Sequence, residues 1–505
     1  MGKIKDLLDR KIVTTDVGEE TYLTWREAVS YTMGRGAQGM STSMTASKYV
    51  NFFITDVLRI RPEVASNIRL YCGIFDAIND PIMGVLVDKT RTKHGKMRPY
   101  IRIAPFFVSL FMLMFFVGSN NLSYGTKLAM TIIAFVGLDV TYTAFDVPMG
   151  ALAFSMTPNG VERTKLYGIA AIGRMILGAI PSGLVAFAAW IPYLDKNLDK
   201  AYLIAAVMSA VFIIIFTRFT FRNTVERVEH HDDAPTFSEC IRLLFSNRPL
   251  FMLFLGNIFF VLIKVADQAS FYFAYDSLFD PKYNGFLDIV KAPGSVLAAV
   301  IVPMIVQKLG AKTDSKKFYQ ICCLAGVVLN GLFALTTYNG IINKPENEPV
   351  SVGIGILVLA FSMIVTFPLE FKNLMQKEME AETVDYVEWK SGKRVEGTML
   401  SIMSFTGKLE GTLSSFIFLR VLSKTGYIEH TNSVSVVQNM ATRKALFSMT
   451  TLFPLAGYAL MLIPMFFYNI TGEKHRQMMK EIMVRRETQL ENKTKSKIVI
   501  DEIQL

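Results

Sequence analysis

Phe75–Tyr100 reads FDAINDPIMGVLVDKTRTKHGKMRPY, and its two halves have opposite characters. The first lies in an apolar segment yet carries Asp76 and Asp80, four residues apart and so on one helix face. The second holds Lys89, Arg91, Lys93, Lys96 and Arg98 before an apolar run resumes at Pro99. A charged side chain at bilayer depth costs about 2.5–3.5 kcal/mol on insertion scales, so acids inside an apolar span mark a functional site. Pro81 removes a backbone donor and frees a carbonyl beside them. Carboxylates next to a freed carbonyl are hard oxygen ligands for Na⁺, or a site that exchanges protons. The competing reading is a buried ion pair that only ties helices together.

Working outward, the 505 residues are 51% hydrophobic and only 19% charged, with positive mean hydropathy. A soluble chain carries about 25% charged residues. The formal charge of +10 is spread between apolar runs and forms no single basic face, which speaks for membrane topology and against nucleic acid. Cys72, Cys240, Cys322 and Cys323 have neither disulfide-framework nor zinc spacing.

A bilayer-spanning helix needs roughly 20 mostly apolar residues. Twelve stretches qualify, near 31–55, 65–88, 99–119, 126–155, 163–189, 200–221, 249–276, 285–309, 317–338, 350–372, 396–422 and 446–470. The first is rich in Gly, Ser and Thr, as suits a helix packed inside a bundle. The expected architecture is an all-α membrane protein of twelve transmembrane helices in two six-helix bundles. Its parts are an N-terminal segment (1–28) read as a short interfacial or cytoplasmic helix, a first bundle (29–221), a cytoplasmic linker (222–248), a second bundle (249–470) and a cytoplasmic tail (471–505). Residues 1–28 have no signal-peptide pattern. The loops 88–98, 156–165, 218–248, 308–317 and 372–394 are richer in Lys and Arg than those between them, which puts them and both termini in the cytoplasm of a plasma membrane. The halves echo each other in DKTRTKHGK and QKLGAKTDSKK, each after the second helix of its half, as in a duplicated transporter.

A second constellation lies in GLDVTYTAFDVPMG, where Asp139, Tyr142 and Asp146 share one face at i, i+3 and i+7. A carboxylate with a phenol one turn away suits sugar hydroxyls, which donate and accept at once. Countercharges for the acids are present at Arg174, Lys264 with Asp267, Lys291, and Lys408 with Glu410. His230–His231 with Asp232–Asp233 reads as a solvated linker in preference to a metal site. GxxxxGK[ST] is absent, so the energy source is an ion gradient or the substrate's own. No nucleophile–base pair or metal-ligand set suggests an enzyme, and no cofactor is implied.

DAINDP with the downstream GKMRP, TYTAFDVP, and AETVDYVEWKSGKRVEG followed by the lysine of FTGKLEG together resemble the glycoside–pentoside–hexuronide:cation symporters of the major facilitator superfamily. The resemblance implies that Asp76, Asp80 and Thr143 bind a coupling cation, Na⁺ or H⁺. It implies that Asp146, with Tyr142 beside it, binds sugar, that Lys408 reaches toward these acids, and that Arg174 stands about one turn from the family's fifth-helix arginine. The chain departs from the pattern in three places. The family's first-helix acid falls at Met40 or Ser41, its sugar-stacking tryptophan at Gly150, and the arginine before the first cation-site acid at Gly73. The function expected is import of a glycoside, pentoside or hexuronide by symport, through a monomer in contact with membrane lipid. Lys96 and Arg98 are expected to gate by pairing with acids such as those in 378–388. Two other readings fit the same sequence: a lipid or lysolipid carrier, and a membrane sugar sensor that does not transport.

Overall fold

The structure, a computed structural model, describes residues 8–12, 21–45, 48–117, 122–227, 237–291, 293–297, 301, 304, 314–345, 348–392, 396–430 and 436–485. The His230–Asp233 cluster, most of QKLGAKTDSKK and the last twenty residues lie outside them.

The first half runs α1 (Trp25–Thr45), followed by Lys48–Phe52 and a π-helical turn at Phe53–Val57, then α2 (Pro62–Lys89), α3 (Arg98–Phe116), α4 (Tyr124–Met156), α5 (Gly160–Ala186) and α6 (Leu198–Asn223). A short amphipathic helix, Phe237–Ser246, leads into the second half. There follow α7 (Arg248–Tyr272) with a π-helical turn at Phe273–Ser277, α8 (Tyr283–Ile289), α9 (Ser315–Ile342), α10 (Val352–Ile364 and Thr366–Ser391), α11 (Glu396–Lys424) and α12 (Met440–Phe467). Eight of these, α3–α7, α9, α10 and α12, are long and apolar enough to cross a membrane by composition. α1, α2 and α11 fall short because of what they carry: α1 its Gly, Ser and Thr with Arg35, α2 its Asp76 and Asp80, α11 its Lys408 and Glu410. Of the span expected at 285–309, α8 covers the start, and residues 292, 298–300, 302–303 and 305–309 lie outside the described residues.

The packing repeats between halves. α1 lies against α5 and α6, and α3 against α4 and α6; likewise α7 lies against α11 and α12, and α9 against α10 and α12. The repeat is sharpest at the two π-turns. FITDVLR (53–59) and FAYDSLF (273–279) each close with a backbone bond from the leucine N–H to the first phenylalanine carbonyl, Leu58 to Phe53 at 2.8 Å and Leu278 to Phe273 at 2.9 Å. The next residue in each, Arg59 and Phe279, has φ +57°.

Among the described residues, most of the bonds between halves gather at one end of the molecule. Lys48 and Tyr49 reach Asp288 at 2.6 and 2.5 Å, Asn51 reaches Gln268 at 2.8 Å, and Thr55 meets the Tyr272 hydroxyl at 2.7 Å. Buried Asp56 accepts from the Tyr427 hydroxyl at 2.7 Å and the His430 backbone N–H at 2.9 Å. A little deeper, α2 and α11 are joined by Arg420 to Glu63 at 3.1 Å and Arg69 to Ser415 at 3.3 Å. The halves are therefore closed on the face away from the 89–97 loop.

Two expectations are corrected. The described part of 1–28 is not helical over its length: Lys11 and Thr24 form an antiparallel bridge, with Ile12 bonded to Leu23 and Trp25 to Arg10. Buried Glu162 holds this segment by accepting the backbone N–H groups of Tyr22 and Leu23 at 2.9 and 3.0 Å. Residues 372–391 are not a loop; α10 continues through them to Ser391 and stops at Gly392, whose φ is +71°. Its apolar character ends at the membrane, but KNLMQKEMEAETVDYVEWK is made largely of good helix formers.

Candidate functional site

α2 is divided lengthwise. Tyr71, Ile74, Ile78, Ile82 and Leu86 are exposed on one side, as lipid-facing residues recurring every three or four positions should be. Asp76, Asn79 and Asp80 lie on the other, toward α4 and α11. There the Lys408 ammonium from α11 stands 2.9 Å from Asp76 Oδ2 and 2.5 Å from Asp80 Oδ2. Thr143 Oγ1 from α4 lies 3.3 Å from Asp76 Oδ1 and 2.9 Å from the Asp139 carbonyl oxygen. Asp80 Oδ1 is shut off from solvent and, among the described residues, has no hydrogen-bond partner. Two carboxylates share one ammonium, leaving one negative charge and an unused acceptor. This donor set, two carboxylates and a hydroxyl, is hard oxygen chemistry that fits Na⁺ or a proton.

Gly73 has its own explanation. A Cβ there would sit 2.1 Å from the Thr412 side chain, so the missing side chain lets α11 press against α2 and bring Lys408 within reach. The arginine absent from position 73 has a counterpart one turn earlier: half-buried Arg69 lies over the Phe135 ring within electrostatic reach of Asp139.

The second constellation is one helix turn from Thr143. Asp146 Oδ1 accepts from the Tyr142 hydroxyl at 3.2 Å and from Gln38 Nε2 of α1 at 2.8 Å. Gln38 Oε1 in turn accepts from Arg35 Nη1 at 2.6 Å. Met40 and Ser41 are buried in packing, so α1 contributes a guanidinium and an amide from its previous turn where an acid was looked for. Arg35 and Gln38 were missed from sequence, although a lone cation in TMGRGAQG is as costly at bilayer depth as Asp76. Arg174 shares a cleft of 820 Å³ with Arg35, Ser43, Tyr167 and Ser182.

The remaining countercharges sort themselves. Lys264 does not pair with Asp267 in its own turn; it meets Glu410 of α11 at 2.8 Å, while Asp267 faces Lys291 at 3.7 Å. Lys264, Asp267 and Lys291 border a second cavity of 370 Å³ within the latter half.

The basic loop is braced by an acid of its own half. Glu226, just past α6, accepts the backbone N–H groups of Lys96, Met97 and Arg98 at 2.8, 3.0 and 3.0 Å. Arg98 donates to the Phe221 carbonyl at 2.7 Å and lies 4.9 Å over its ring. The acid that holds the Arg98 backbone thus comes from its own half. Gly95, at φ +98°, has the Glu226 carboxylate where a Cβ would stand, which accounts for glycine in GKMRP.

Residues 30–472 match the family model described as MFS/sugar transport protein. The chain belongs to this family. As an MFS sugar-transport protein it is 28% identical to an uncharacterised symporter, YjmB, of Bacillus subtilis over 94% of this chain and 98% of that one. It is 27% identical to the isoprimeverose transporter of Lactiplantibacillus pentosus over 88% and 89% of the two chains. A glucuronide carrier protein homolog of Escherichia coli is 26% identical over 92% and 97%. Among solved structures, a D-xylose–proton symporter aligns with a TM-score of 0.58 over 88% of this chain and 97% of that one, at 14% identity. The nucleoside transporter NupG aligns with the same score over 88% and 100%, at 12% identity. Both show the fold alone: two six-helix bundles of the major facilitator type. Of the residues singled out in the sequence, this MFS protein brings Asp76, Asp80, Thr143 and Lys408 into one cluster and Tyr142 and Asp146 into a second beside it. Arg174 lines the cleft without an ion pair among the described residues.

Proposed function

We propose that the chain is a secondary transporter that imports a glycoside, pentoside or hexuronide by symport with Na⁺ or H⁺. The observation that carries this is the Asp76–Lys408–Asp80 cluster with its unused Asp80 Oδ1, one helical turn from the Tyr142–Asp146–Gln38 cluster. One uncompensated carboxylate charge suits one monovalent cation. Thr143 spans the interval: its hydroxyl touches Asp76, and Asp146 follows it on the same helix. Occupancy of the first cluster then changes the field and geometry felt by the second, which is a coupling free energy between two sites.

The rocking bodies are 29–221 and 249–470, joined by 222–248. With the 89–97 loop and both termini in the cytoplasm, the closed end at Lys48, Asn51 and Asp56 faces outside and the structure is inward-facing. Outward opening must break those bonds and close the opposite face, where Glu226 stiffens the Lys96–Arg98 hinge. Relatives named for isoprimeverose, glucuronide and sulfoquinovose transport support a sugar-sized polyol as cargo. The test is uptake by proteoliposomes across a sugar panel, with and without an inward Na⁺ or H⁺ gradient. Accumulation above equilibrium only with one cation gradient is expected; uptake indifferent to both gradients overturns symport.

A further inference from the structure

We infer that the cargo carries one oxyanion, a carboxylate or sulfonate, and that Arg35 with Arg174 selects it; the inference rests on the sugar-transport reading above. Arg35 and Arg174 both line the 820 Å³ cleft, and among the described residues neither forms an ion pair with a carboxylate. The acid Arg35 reaches is Asp146, and it does so indirectly, through Gln38. Asp146 Oδ1 already accepts two hydrogen bonds, from Gln38 and Tyr142. Two guanidinium charges against one carboxylate leave this wall one positive charge in excess. Uncompensated charge in a partly buried cleft calls for a partner, and a mono-anionic ligand provides it.

The two arginines are also held together mechanically. α1 and α5 meet through glycines: a Cβ on Gly39 would lie 2.4 Å from the Arg174 carbonyl oxygen, and one on Gly178 would lie 3.0 Å from the Gly39 carbonyl oxygen. Backbones this close fix Arg35 and Arg174 on one wall. A guanidinium offers several N–H donors in a rigid fork, and Arg35 commits Nη1 to Gln38, which leaves donors for a planar or trigonal oxyanion. Asp146 and Tyr142 stand beside this anion site to meet ring hydroxyls.

The experiment is equilibrium binding and counterflow by the purified full chain with three ligands sharing one ring: methyl β-glucoside, methyl β-glucuronide and methyl 6-deoxy-6-sulfo-β-glucoside. The wild type is expected to favour at least one anion over the glucoside by about 10- to 100-fold, the worth of a charge-assisted hydrogen bond. Arg35→Gln and Arg174→Gln should each bring that ratio to within about threefold of unity, with Arg35→Lys keeping part of it through its charge. Which anion wins distinguishes carboxylate from sulfonate. Equal affinity for all three in the wild type, or an undiminished ratio in both glutamine variants, overturns the inference and leaves sugar transport standing. Binding of none of the three overturns the sugar reading itself.

Discussion

Asp80→Asn removes one of two carboxylates that share Lys408 and keeps the shape of the side chain. With both acids present the cluster is one charge negative; with asparagine it is neutral, and the Lys408 ammonium at 2.9 Å satisfies Asp76 alone. The ammonium marks where a positive charge is held. A monovalent cation there loses a full charge interaction at about 4 Å, worth about 2–4 kcal/mol at an effective dielectric of 20–40. Cation affinity should fall about 30- to 1000-fold. The assay is accumulation by proteoliposomes under an inward cation gradient. A tenfold gradient of one coupled monovalent ion supports up to about tenfold sugar accumulation in the wild type, since about 1.4 kcal/mol is a factor of ten. The variant should not rise above equilibrium, and its counterflow should lose its dependence on the cation. Full gradient-driven accumulation by Asp80→Asn would refute the assignment of the cation to this cluster.

Three further outcomes follow from other parts of the structure. Glu226→Gln weakens the charge-assisted acceptor for three backbone N–H groups at the start of α3, and should lower stability by about 1–2 kcal/mol, seen as a lower Tm, and slow transport turnover. Gly39→Val drives a Cβ against the Arg174 carbonyl oxygen, which as backbone cannot swing away; the expected cost is about 1–3 kcal/mol or more, with loss of any preference for anionic sugar in the same binding assay. His475, in the helix 472–485, is held by Asp385 at 3.0 Å, and this bond raises its pKa above the usual imidazole value. The stabilisation, about 0.5–1 kcal/mol, is therefore full below the ordinary histidine pKa and is lost as pH rises through the raised value. Limited proteolysis should cut 472–485 faster at pH 9 than at pH 6 in the wild type, and with no such difference in His475→Asn.

How much of this was legible in the sequence depended on what each feature costs. Asp76 and Asp80 announced themselves because a carboxylate in an apolar span is expensive. Arg35 was just as expensive, but its surroundings in α1 are so rich in Gly, Ser and Thr that the segment read as packing alone. The internal duplication was sought in the basic loops, whereas it is plainest in FITDVLR and FAYDSLF, which share only Phe, Asp and Leu positions. Their common signal is backbone, a π-turn ended by a residue at φ +57°, and side-chain patterns encode that weakly. Glu226 was hidden for another reason. It sits in a polar stretch that looks solvated, and its role exists only because the chain after α6 passes under Gly95. α10 overran its predicted end because hydropathy reports where the membrane stops, not where the helix does.

The three helices too polar to pass as spans on composition are also the helices that hold the site together. α1 supplies Arg35 and Gln38, α2 supplies Asp76 and Asp80, and α11 supplies Lys408. A polar helix in a membrane protein must turn its costly face toward other protein or a water-filled cleft; α1 faces the cleft it shares with α5, and α2 and α11 face each other across the seam between halves. The consequence is mechanical. Lys408 belongs to the second half and its carboxylates to the first, so the charge pairing that makes the cluster tolerable is itself a bond across the seam. On the proposed assignment, a cation that competes with Lys408 for Asp76 and Asp80 would act on how firmly α2 and α11 are held, before any sugar contact changes. Coupling by this route needs no long pathway. It needs one ammonium, two carboxylates and an interface that opens when their pairing is shared.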